Sequence, residues 1–330
     1  MLRSTLAVTA ACALVAACGG GGSGASSDSA PITPTATDQT RIAAATATAQ
    51  SGVNACAPIR PFYWEIGDRS SAVASGSVSS AASPTVYTQA SLMSIASASK
   101  WLYAAYVVEK RGGVLTADDY HYLNFESGYT SFVSCDQGQT VAECVALGTN
   151  GDYTAANDGM FFYNGGHMEK HATLFGLGAM NNAALATEIK SQLGSTGTLI
   201  YTQPQLAGGV FTSAAVYAAV LRKMLDGELR MGAALGTHPV CTNPRSCPAA
   251  VSAPIPGTES WHYSIGHWVE DDPKVGDGAF SSAGLFGFYP WIDASKTYYG
   301  IVARVVAGGA LDSVDCGRII RKAWLTGTAQ

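Results

Sequence analysis

The chain is poor in charged residues. Asp, Glu, Lys and Arg make up 13% of its 330 residues, the net charge is −5, and Lys and Arg form no run or stripe. Proteins that bind nucleic acids cluster these cations against the phosphate backbone. The composition therefore argues against a nucleic-acid partner.

Several motifs that identify catalytic or metal sites are also missing. There is no Gly-x-Ser-x-Gly sequence for the nucleophile elbow of an α/β-hydrolase, and the glycine-rich stretches lack the Lys-Ser/Thr pair of a phosphate-binding loop. No Cys-x-x-Cys occurs, and residues 271–277 lack the ligand spacing of a calcium-binding EF-hand. We therefore expect neither a metal ion nor a cofactor.

His167 and His171 are the remaining candidate metal ligands. Their i, i+4 spacing places both imidazoles on one face of a predicted helix. The order His-Met-Glu-Lys-His differs from the His-Glu-x-x-His of zinc proteases. We interpret the two side chains as a hydrogen-bonded or solvated structural pair.

The apolar run at residues 6–17 is too short to span a bilayer. It follows Arg3 and leads into the sequence Val-Ala-Ala-Cys that ends at Cys18, a pattern typical of a bacterial lipoprotein signal peptide. We expect cleavage before Cys18, lipidation of that cysteine, and export to the periplasmic side of the outer membrane. The lipid would be the only contact with the membrane.

The chain has eight cysteines. One leaves with the signal peptide and one carries lipid, so an even number remains for an oxidising compartment. The spacing predicts three disulfides, two of which close short loops while the third joins the two ends of the folded region: Cys135 with Cys144, Cys241 with Cys247, and Cys56 with Cys316.

Strand-like patterns occupy both ends of the folded region, and helical patterns occupy its middle. A hairpin is predicted at residues 62–66 and 72–78, separated by the turn-forming sequence Gly-Asp-Arg-Ser. Further strands are predicted at 263–269, 285–292 and 298–306, and helices at 97–111, 182–193, 213–229 and 312–325.

This pattern predicts an α/β (α+β) fold, with one antiparallel sheet flanked by helices, built from both chain ends, and an inserted all-helical lobe. The chain is divided accordingly into a signal peptide (1–17), a flexible tether (18–40), the first part of the α/β domain (41–115), the helical lobe (116–258) and the second part of the α/β domain (259–330).

Ser97 and Lys100 stand where a short apolar strand leads into a helix that is apolar on all sides. Their spacing places the lysine amine one helical turn from the serine hydroxyl. A helix of this kind is buried between layers, and burial disfavours the ammonium form of a lysine. Lys100 is therefore a candidate base for a nucleophilic Ser97.

Three further segments follow in order. Phe161-Phe-Tyr163-Asn-Gly165-Gly precedes a predicted helix, residues 204–213 carry Gly-Gly-x-x-Thr-Ser ahead of another, and Ser282-Ala-Gly284 lies in a predicted strand region. Together with Ser97-Ala-Ser-Lys100 these segments resemble the motifs of the serine β-lactamase and penicillin-binding-protein superfamily, in particular its class C-like branch, which includes family VIII esterases.

The resemblance implies a role for each motif. Ser97 would be the nucleophile, Lys100 the base that activates it, and Tyr163 a phenol that shares a proton with Lys100 and passes it to the leaving group once the neighbouring ammonium has lowered its pKa. The backbone amides of Ser97 and Leu285 would form the oxyanion hole, beside a glycine that lets the substrate lie against the backbone.

Two positions depart from the pattern of the family. Gly165 stands where Asn is usual, which removes an amide that contacts substrate, and Asn164 could compensate only if the loop is reshaped. Ser282 stands where a cation or imidazole would hold a ligand carboxylate. The departures predict an uncharged substrate, an ester or alternatively an amide. The residues expected to contact it are Asn164, Gly165, Ser282, Ala283, Gly284, Tyr201, Trp261 and Phe286.

Two alternative functions remain open at this point. The export signal is compatible with a DD-carboxypeptidase or weak β-lactamase that acts on cell-wall peptides. The departures at Gly165 and Ser282 are compatible with a lipid-anchored binding protein that has kept the fold and lost the chemistry.

Overall fold

The computed structural model describes residues 36–330. The predicted signal peptide and the lipidated Cys18 lie outside this part of the chain. The first described helix begins at Ala36, so the last five residues of the predicted tether, 36–40, belong to a helix that packs on the C-terminal helix.

The bounds of the secondary-structure elements are as follows. The helices are α1 Ala36–Gln50, α2 Ser99–Lys110, α3 Ala117–Leu123, α4 Val141–Val145, α5 Gly166–Ala172, α6 Asn182–Leu193, α7 Ala214–Leu225, α8 Met231–Ala234 and α9 Ala310–Thr326, with 3₁₀ turns at Ala96–Ala98 and Ala155–Asn157 and a π-helical turn at Thr173–Leu177. The strands are β1 Phe62–Gly67, β2 Ala72–Val78, β3 Met93–Ser94, β4 Phe161–Phe162, β5 Leu199–Tyr201, β6 Val210–Thr212, β7 Val240–Cys241, β8 Ala250–Ser252, β9 His262–Ser264, β10 His267–Glu270, β11 Ala279–Ser281, β12 Tyr289–Ile292 and β13 Tyr299–Ala303.

The main sheet has eight antiparallel strands in the order β2-β1-β13-β12-β11-β10-β9-β7. Strand β1 pairs with β13, with Trp64 opposite Val302, so the two ends of the described region meet within one sheet. This architecture, with helices against the sheet, confirms the predicted fold class.

The inserted segment 116–258 is not all-helical as expected. It also contains β4 paired in parallel with β8, β5 and β6 paired beside β3, and β7, which extends the main sheet. Each of these strands is two or three residues long, and a run that short shows no periodicity from which a strand could be predicted.

The strand predicted at residues 263–269 is a hairpin of β9 and β10. Ile265 and Gly266 both have positive φ angles, 40° and 73°, which reverse the chain within two residues. A Cβ on Gly266 would lie 2.6 Å from the Cβ of Ala104 and 3.0 Å from the carbonyl oxygen of Lys100. The glycine therefore lets the turn pack directly on helix α2.

Helix α2 lies in the core. Every residue from Ser99 to Glu109 is buried, as the apolar sequence predicts. Among residues 36–330, no helix combines the length and apolar character needed to cross a bilayer.

Each of the three predicted cysteine pairs lies within bonding distance. The S–S distances are 1.96 Å for Cys56–Cys316, 1.99 Å for Cys135–Cys144 and 1.80 Å for Cys241–Cys247. Cys56 and Cys316 are both fully buried, and their bond ties helix α9 to the segment between α1 and β1.

Candidate active site

Ser97 lies in the 3₁₀ turn between β3 and α2. The turn begins at Ala96, whose φ of 43° is in the left-handed region. This conformation costs an alanine roughly 1–2 kcal/mol. Strain of this kind is concentrated at functional sites, where the surrounding structure maintains it. Here it places a half-buried serine at the start of a buried helix.

Lys100 contacts the serine directly. Its Nζ lies 3.0 Å from Ser97 Oγ and donates a hydrogen bond of 2.7 Å to the carbonyl oxygen of Ala207. The side chain is 5% exposed, and burial lowers its pKa to about 7, although the charge of Glu169 acts in the opposite direction. A neutral amine in this position keeps an N–H for Ala207 and a lone pair for the serine proton.

Tyr163 follows strand β4 and completes the group. Its ring stacks on Trp268 with the centroids 5.2 Å apart, and Lys100 Nζ lies 5.0 Å from the ring centroid. Burial raises the pKa of Tyr163 to about 12, while hydrogen bonds with Ser97 and Trp268 lower it by less.

The expected depression of the Tyr163 pKa by the lysine is therefore wrong. The hydroxyl of Tyr163 hydrogen-bonds with Ser97, and the neighbouring lysine itself loses charge through burial. The phenol stays protonated at neutral pH, so it can donate a proton while the amine accepts one.

Ser282 and Gly284 connect the main sheet to the turn that carries Ser97. The hydroxyl of Ser282 donates to the carbonyl oxygen of Ser97 at 3.1 Å. A Cβ on Gly284 would lie 2.0 Å from the carbonyl oxygen of Ile95, which precedes the strained turn. The glycine is therefore needed for close contact between strand and turn, which is a different reason from the expected approach of a substrate.

The amides after β11 alternate between the two edges of the strand. Ser282 N–H donates to Pro290 at 3.2 Å and Gly284 N–H to Phe288 at 2.8 Å, so both face β12. In an extended segment the amide between them, that of Ala283, points to the opposite edge.

Leu285 occupies a turn instead of the strand. Gly287 N–H donates to the Gly284 carbonyl at 2.8 Å, which makes Leu285 the second residue of a β-turn, and its side chain is 54% exposed. Two backbone amides after β11 are therefore candidates to join the Ser97 amide in an oxyanion hole: the expected amide of Leu285 and that of Ala283.

Asn164 and Gly165 contact the loop that carries Phe132. Asn164 Oδ1 accepts from Phe132 N–H at 3.2 Å and Gly166 N–H at 2.8 Å, and its Nδ2 donates to the Phe132 carbonyl at 3.2 Å. A Cβ on Gly165 would lie 2.9 Å from Cδ1 of Phe132. Phe132 therefore leaves no room for an asparagine at position 165, and Asn164 holds the Phe132 loop.

The aromatic side chains predicted to contact substrate fall into two groups. Tyr201 and Trp261 are each 2% exposed and lie in the core, so they do not form the edge of a cleft. Trp261 packs edge-on against Trp268, with centroids 5.6 Å apart. Phe286, in the turn after Gly284, is half-buried and remains a candidate contact, as does the half-buried Ala283.

His167 and His171 contact different parts of the core. His167 Nδ1 lies 2.7 Å from Ser127 Oγ, and His171 lies 2.7 Å from Tyr103 Oη and 3.0 Å from Asp119 Oδ1. Within residues 36–330, no three His, Cys, Asp or Glu side chains are grouped to hold a metal ion. The histidines connect helix α5 to its neighbours.

Sequence reasoning missed Glu169 and Ala207. Glu169 lies on α5 between the two histidines, and its fully buried carboxyl accepts from Ala207 N–H at 3.0 Å. Glutamate side chains are rarely fully buried, so the residue type at position 169 does not predict the contact with Ala207. Ala207 acts through its backbone, for which the residue type carries no signal.

Comparison with solved structures identifies the fold. A hydrolase with promiscuous acyltransferase activity, EstCE1, superposes with a TM-score of 0.61 at 13% identity, covering 86% of this chain and 98% of that one. Unliganded simvastatin synthase (LovD) from Aspergillus terreus gives a TM-score of 0.58 at 14% identity, covering 86% and 99% of the two chains.

The chain has the serine β-lactamase and penicillin-binding-protein fold. A putative β-lactamase from Bacteroides dorei superposes with a TM-score of 0.56 at 18% identity, over 79% of this chain and 93% of that one. No protein-family model and no curated protein sequence matches the chain significantly. The resemblance inferred from the sequence motifs is therefore confirmed at the level of this fold.

Proposed function

We propose that this protein is a serine hydrolase that forms an acyl-enzyme on Ser97. The observation that carries the proposal is the 3.0 Å contact between Ser97 Oγ and the buried amine of Lys100, whose pKa burial lowers to about 7. A base is most effective when its pKa lies near the working pH, because it is then both neutral and basic enough to accept the proton.

Acylation begins with attack by Ser97 Oγ on the substrate carbonyl carbon, while its proton passes to Lys100 Nζ. The carbonyl oxygen becomes an oxyanion, held by the Ser97 amide and by the amide of Ala283 or Leu285. When the carbonyl re-forms, the bond to the leaving oxygen breaks. Tyr163 O–H donates to that oxygen and recovers its proton from Lys100.

Deacylation reverses the roles, with water in place of the leaving group. Water attacks the acyl carbonyl carbon and gives its proton, through Tyr163, to the neutral Lys100. The released Ser97 oxygen then takes a proton back from the lysine ammonium. The products are a carboxylic acid and an alcohol, and the site returns to its starting protonation.

An uncharged carboxylic ester is the substrate class that these residues support best. Position 282 provides a hydroxyl that is already bonded to the Ser97 carbonyl, so it offers no charged partner for a ligand carboxylate. The half-buried Phe162 and Phe286 supply apolar surface beside Tyr163 and Gly284. An apolar or aromatic acyl group suits this environment, and amides of the same acids are a slower alternative.

The test compares Ser97→Ala with a matched control. We expect wild-type protein and Ser94→Ala, which changes a serine on the preceding strand, to hydrolyse p-nitrophenyl butyrate and to be labelled by a fluorophosphonate. We expect Ser97→Ala to lose both properties. Undiminished turnover by Ser97→Ala would reject the assignment, and a wild type that is neither active nor labelled would favour a binding protein.

A fluorescent penicillin separates the ester hydrolase from a penicillin-directed enzyme. We expect hydrolysis of neutral esters without stable labelling by the penicillin, because the carboxylate of a penicillin finds no cation at position 282. Stable labelling of Ser97 would instead support the DD-carboxypeptidase or β-lactamase alternative.

A further inference from the structure

Glu169 is a buried carboxyl group for which the proposed reaction has no role. It lies in the first turn of α5 and is fully buried. Its Oε1 accepts a hydrogen bond of 3.0 Å from Ala207 N–H. Its Oε2 is also buried and has no hydrogen-bond partner among residues 36–330. Burying a carboxyl group with half of its acceptors unused is costly, so the position calls for a functional reason.

Ala207 links this carboxyl group to the catalytic lysine. The N–H of Ala207 donates to Glu169, while its carbonyl oxygen accepts the 2.7 Å hydrogen bond from Lys100 Nζ. The amide of the preceding residue, Leu206, also lowers the pKa of the Glu169 carboxyl group. Glu169 therefore holds the backbone segment that orients the lysine amine toward Ser97.

The ionisable groups around Glu169 come from three elements. Lys100 and Tyr103 face it from α2 and Tyr201 from β5, while His171 on its own helix contacts Tyr103. Burial raises the pKa values of Tyr103 and Tyr201 well above their usual range, and the Glu169 charge adds to the effect. Tyr163 faces the other side of Lys100 with its neutral ring. Lys100 is thus the cation that interacts with this carboxyl group.

We propose that Glu169 is a positioning residue for the Ser97–Lys100 pair. Through Leu206 and Ala207 it fixes the carbonyl that orients the lysine amine, and through its charge it controls the fraction of that amine that is neutral. The inference rests on the proposed hydrolase function, because it assigns the carboxyl group a part in the same reaction.

The charge coupling makes the two groups titrate as a pair. Burial raises the pKa of Glu169, while the Ala207 and Leu206 amides and the charge of Lys100 lower it. In the state in which Glu169 and Lys100 together hold one proton, the proton resides on either the carboxyl group or the amine. Only the form with the proton on the carboxyl group leaves a neutral amine that can activate Ser97. Removal of the carboxyl charge therefore favours the neutral amine and extends activity to lower pH.

The pH dependence of ester hydrolysis tests this role in the full chain. For Glu169→Gln, which keeps an acceptor for Ala207 and loses the charge, we expect the acid limb of kcat/KM to move down by about 0.5–1 pH unit. For Glu169→Ala we expect kcat to fall about tenfold or more with KM within about twofold, because the loop loses its acceptor.

Glu65→Gln is the matched control. Glu65 is a buried carboxyl on β1 that bonds Tyr63 and Tyr299 and has no described link to Lys100. Its pH profile should superimpose on the wild type. A Glu169→Gln profile that also superimposes on the wild type would overturn the proposal, even if activity falls, because that result describes a structural role alone.

NMR on the wild type supplies a second test that requires neither activity nor a folded Glu169 variant. With ¹³Cε-labelled lysine, and with the Lys100 signal assigned by its loss in Lys100→Met, we expect two inflections in the chemical shift of Lys100 against pH. One of them should be shared with a ¹³Cδ-labelled glutamate. A single Lys100 inflection with no such glutamate would overturn the coupling. If the wild type hydrolyses no ester, the proposed function fails while this titration still decides the coupling.

Discussion

At the residue scale, the proposed chemistry depends on how burial affects two groups that usually carry their protons at neutral pH. Burial lowers the pKa of Lys100 to about 7 and raises the pKa of Tyr163 to about 12. The amine can therefore accept a proton under the conditions in which the phenol keeps its own. Because both groups lie beside Ser97, acid and base are available together on one nucleophile.

Lys100 should give the reaction a defined pH dependence. Below the pKa of about 7 the amine is protonated and cannot accept the serine proton, so kcat/KM should rise with pH through about 7 and then level off. Lys100→Arg keeps a positive charge that does not dissociate and should lower kcat/KM by at least about 10²-fold. Initial rates of ester hydrolysis from pH 5 to 9 measure both. Unchanged activity in Lys100→Arg would rule out the lysine as the base.

Tyr163→Phe isolates the role of the hydroxyl. The ring can still stack on Trp268 and face Lys100, so folding should be preserved. Loss of the proton donor should reduce kcat by roughly 10²–10⁴-fold. Stopped-flow measurement with p-nitrophenyl butyrate gives kcat, and the thermal midpoint serves as the folding control. A fall in kcat of less than about threefold would show that Tyr163 has only a packing role.

At the scale of elements, the site is formed where helix α2 meets the segment that follows β11. Gly284 allows this segment to contact the Ile95 carbonyl, and Ser282 donates a hydrogen bond to the Ser97 carbonyl. These two contacts fix the position of Ser97 relative to the main sheet. The sequence was sufficient to predict α2, α6, α9 and the β1–β2 hairpin, because each has a strong apolar pattern and clear terminal residues.

The details of the site could not be predicted in the same way. The turn at Leu285 and the position of Phe132 beside Gly165 result from tertiary contacts between distant segments. The contact of the buried Glu169 could not be predicted either, because its partner is the backbone amide of a residue distant in sequence. Motif spacing located Ser97, Lys100 and Tyr163, but their pKa shifts depend on the surrounding core.

Proline substitutions distinguish the two candidate oxyanion donors. Proline lacks an N–H and is favoured at the second position of a β-turn, so Leu285→Pro should fold and should retain most activity if Ala283 is the donor. Ala283→Pro should then reduce kcat by about 10²–10³-fold. Kinetics of ester hydrolysis with circular dichroism as the folding control give the answer. The reverse order of effects would assign the donor to Leu285.

At the scale of the whole molecule, the two ends of the described region, residues 36–330, form one body. Strand β1 pairs with β13, helix α1 packs on α9, and Cys56 is bonded to Cys316 across a sequence separation of 260. A helical insert with short strands stands between them and supplies Tyr163 and Glu169. The proposed catalytic group therefore forms only when these two ends of the described region and the insert come together.

The long-range disulfide should contribute more to stability than a short-range one. A disulfide stabilises the fold by lowering the conformational entropy of the unfolded chain. In the chain-entropy limit, the Cys56–Cys316 bond raises the free energy of the unfolded state by about 3 kcal/mol more than the Cys135–Cys144 bond does, because it closes a longer loop. Cys56→Ser with Cys316→Ser should thus lower the urea midpoint more than Cys135→Ser with Cys144→Ser. Equal midpoints for the two double variants would contradict this account.

The most direct measurement is the mass of the protein during turnover of an ester, followed by peptide mapping of the modified species. The account predicts that rapid acid quenching traps one acyl group per chain on the peptide that contains Ser97, and that none is trapped in Ser97→Ala. An acyl group on another residue, or ester turnover with an acyl-free Ser97 peptide at every quench time, would contradict the central claim.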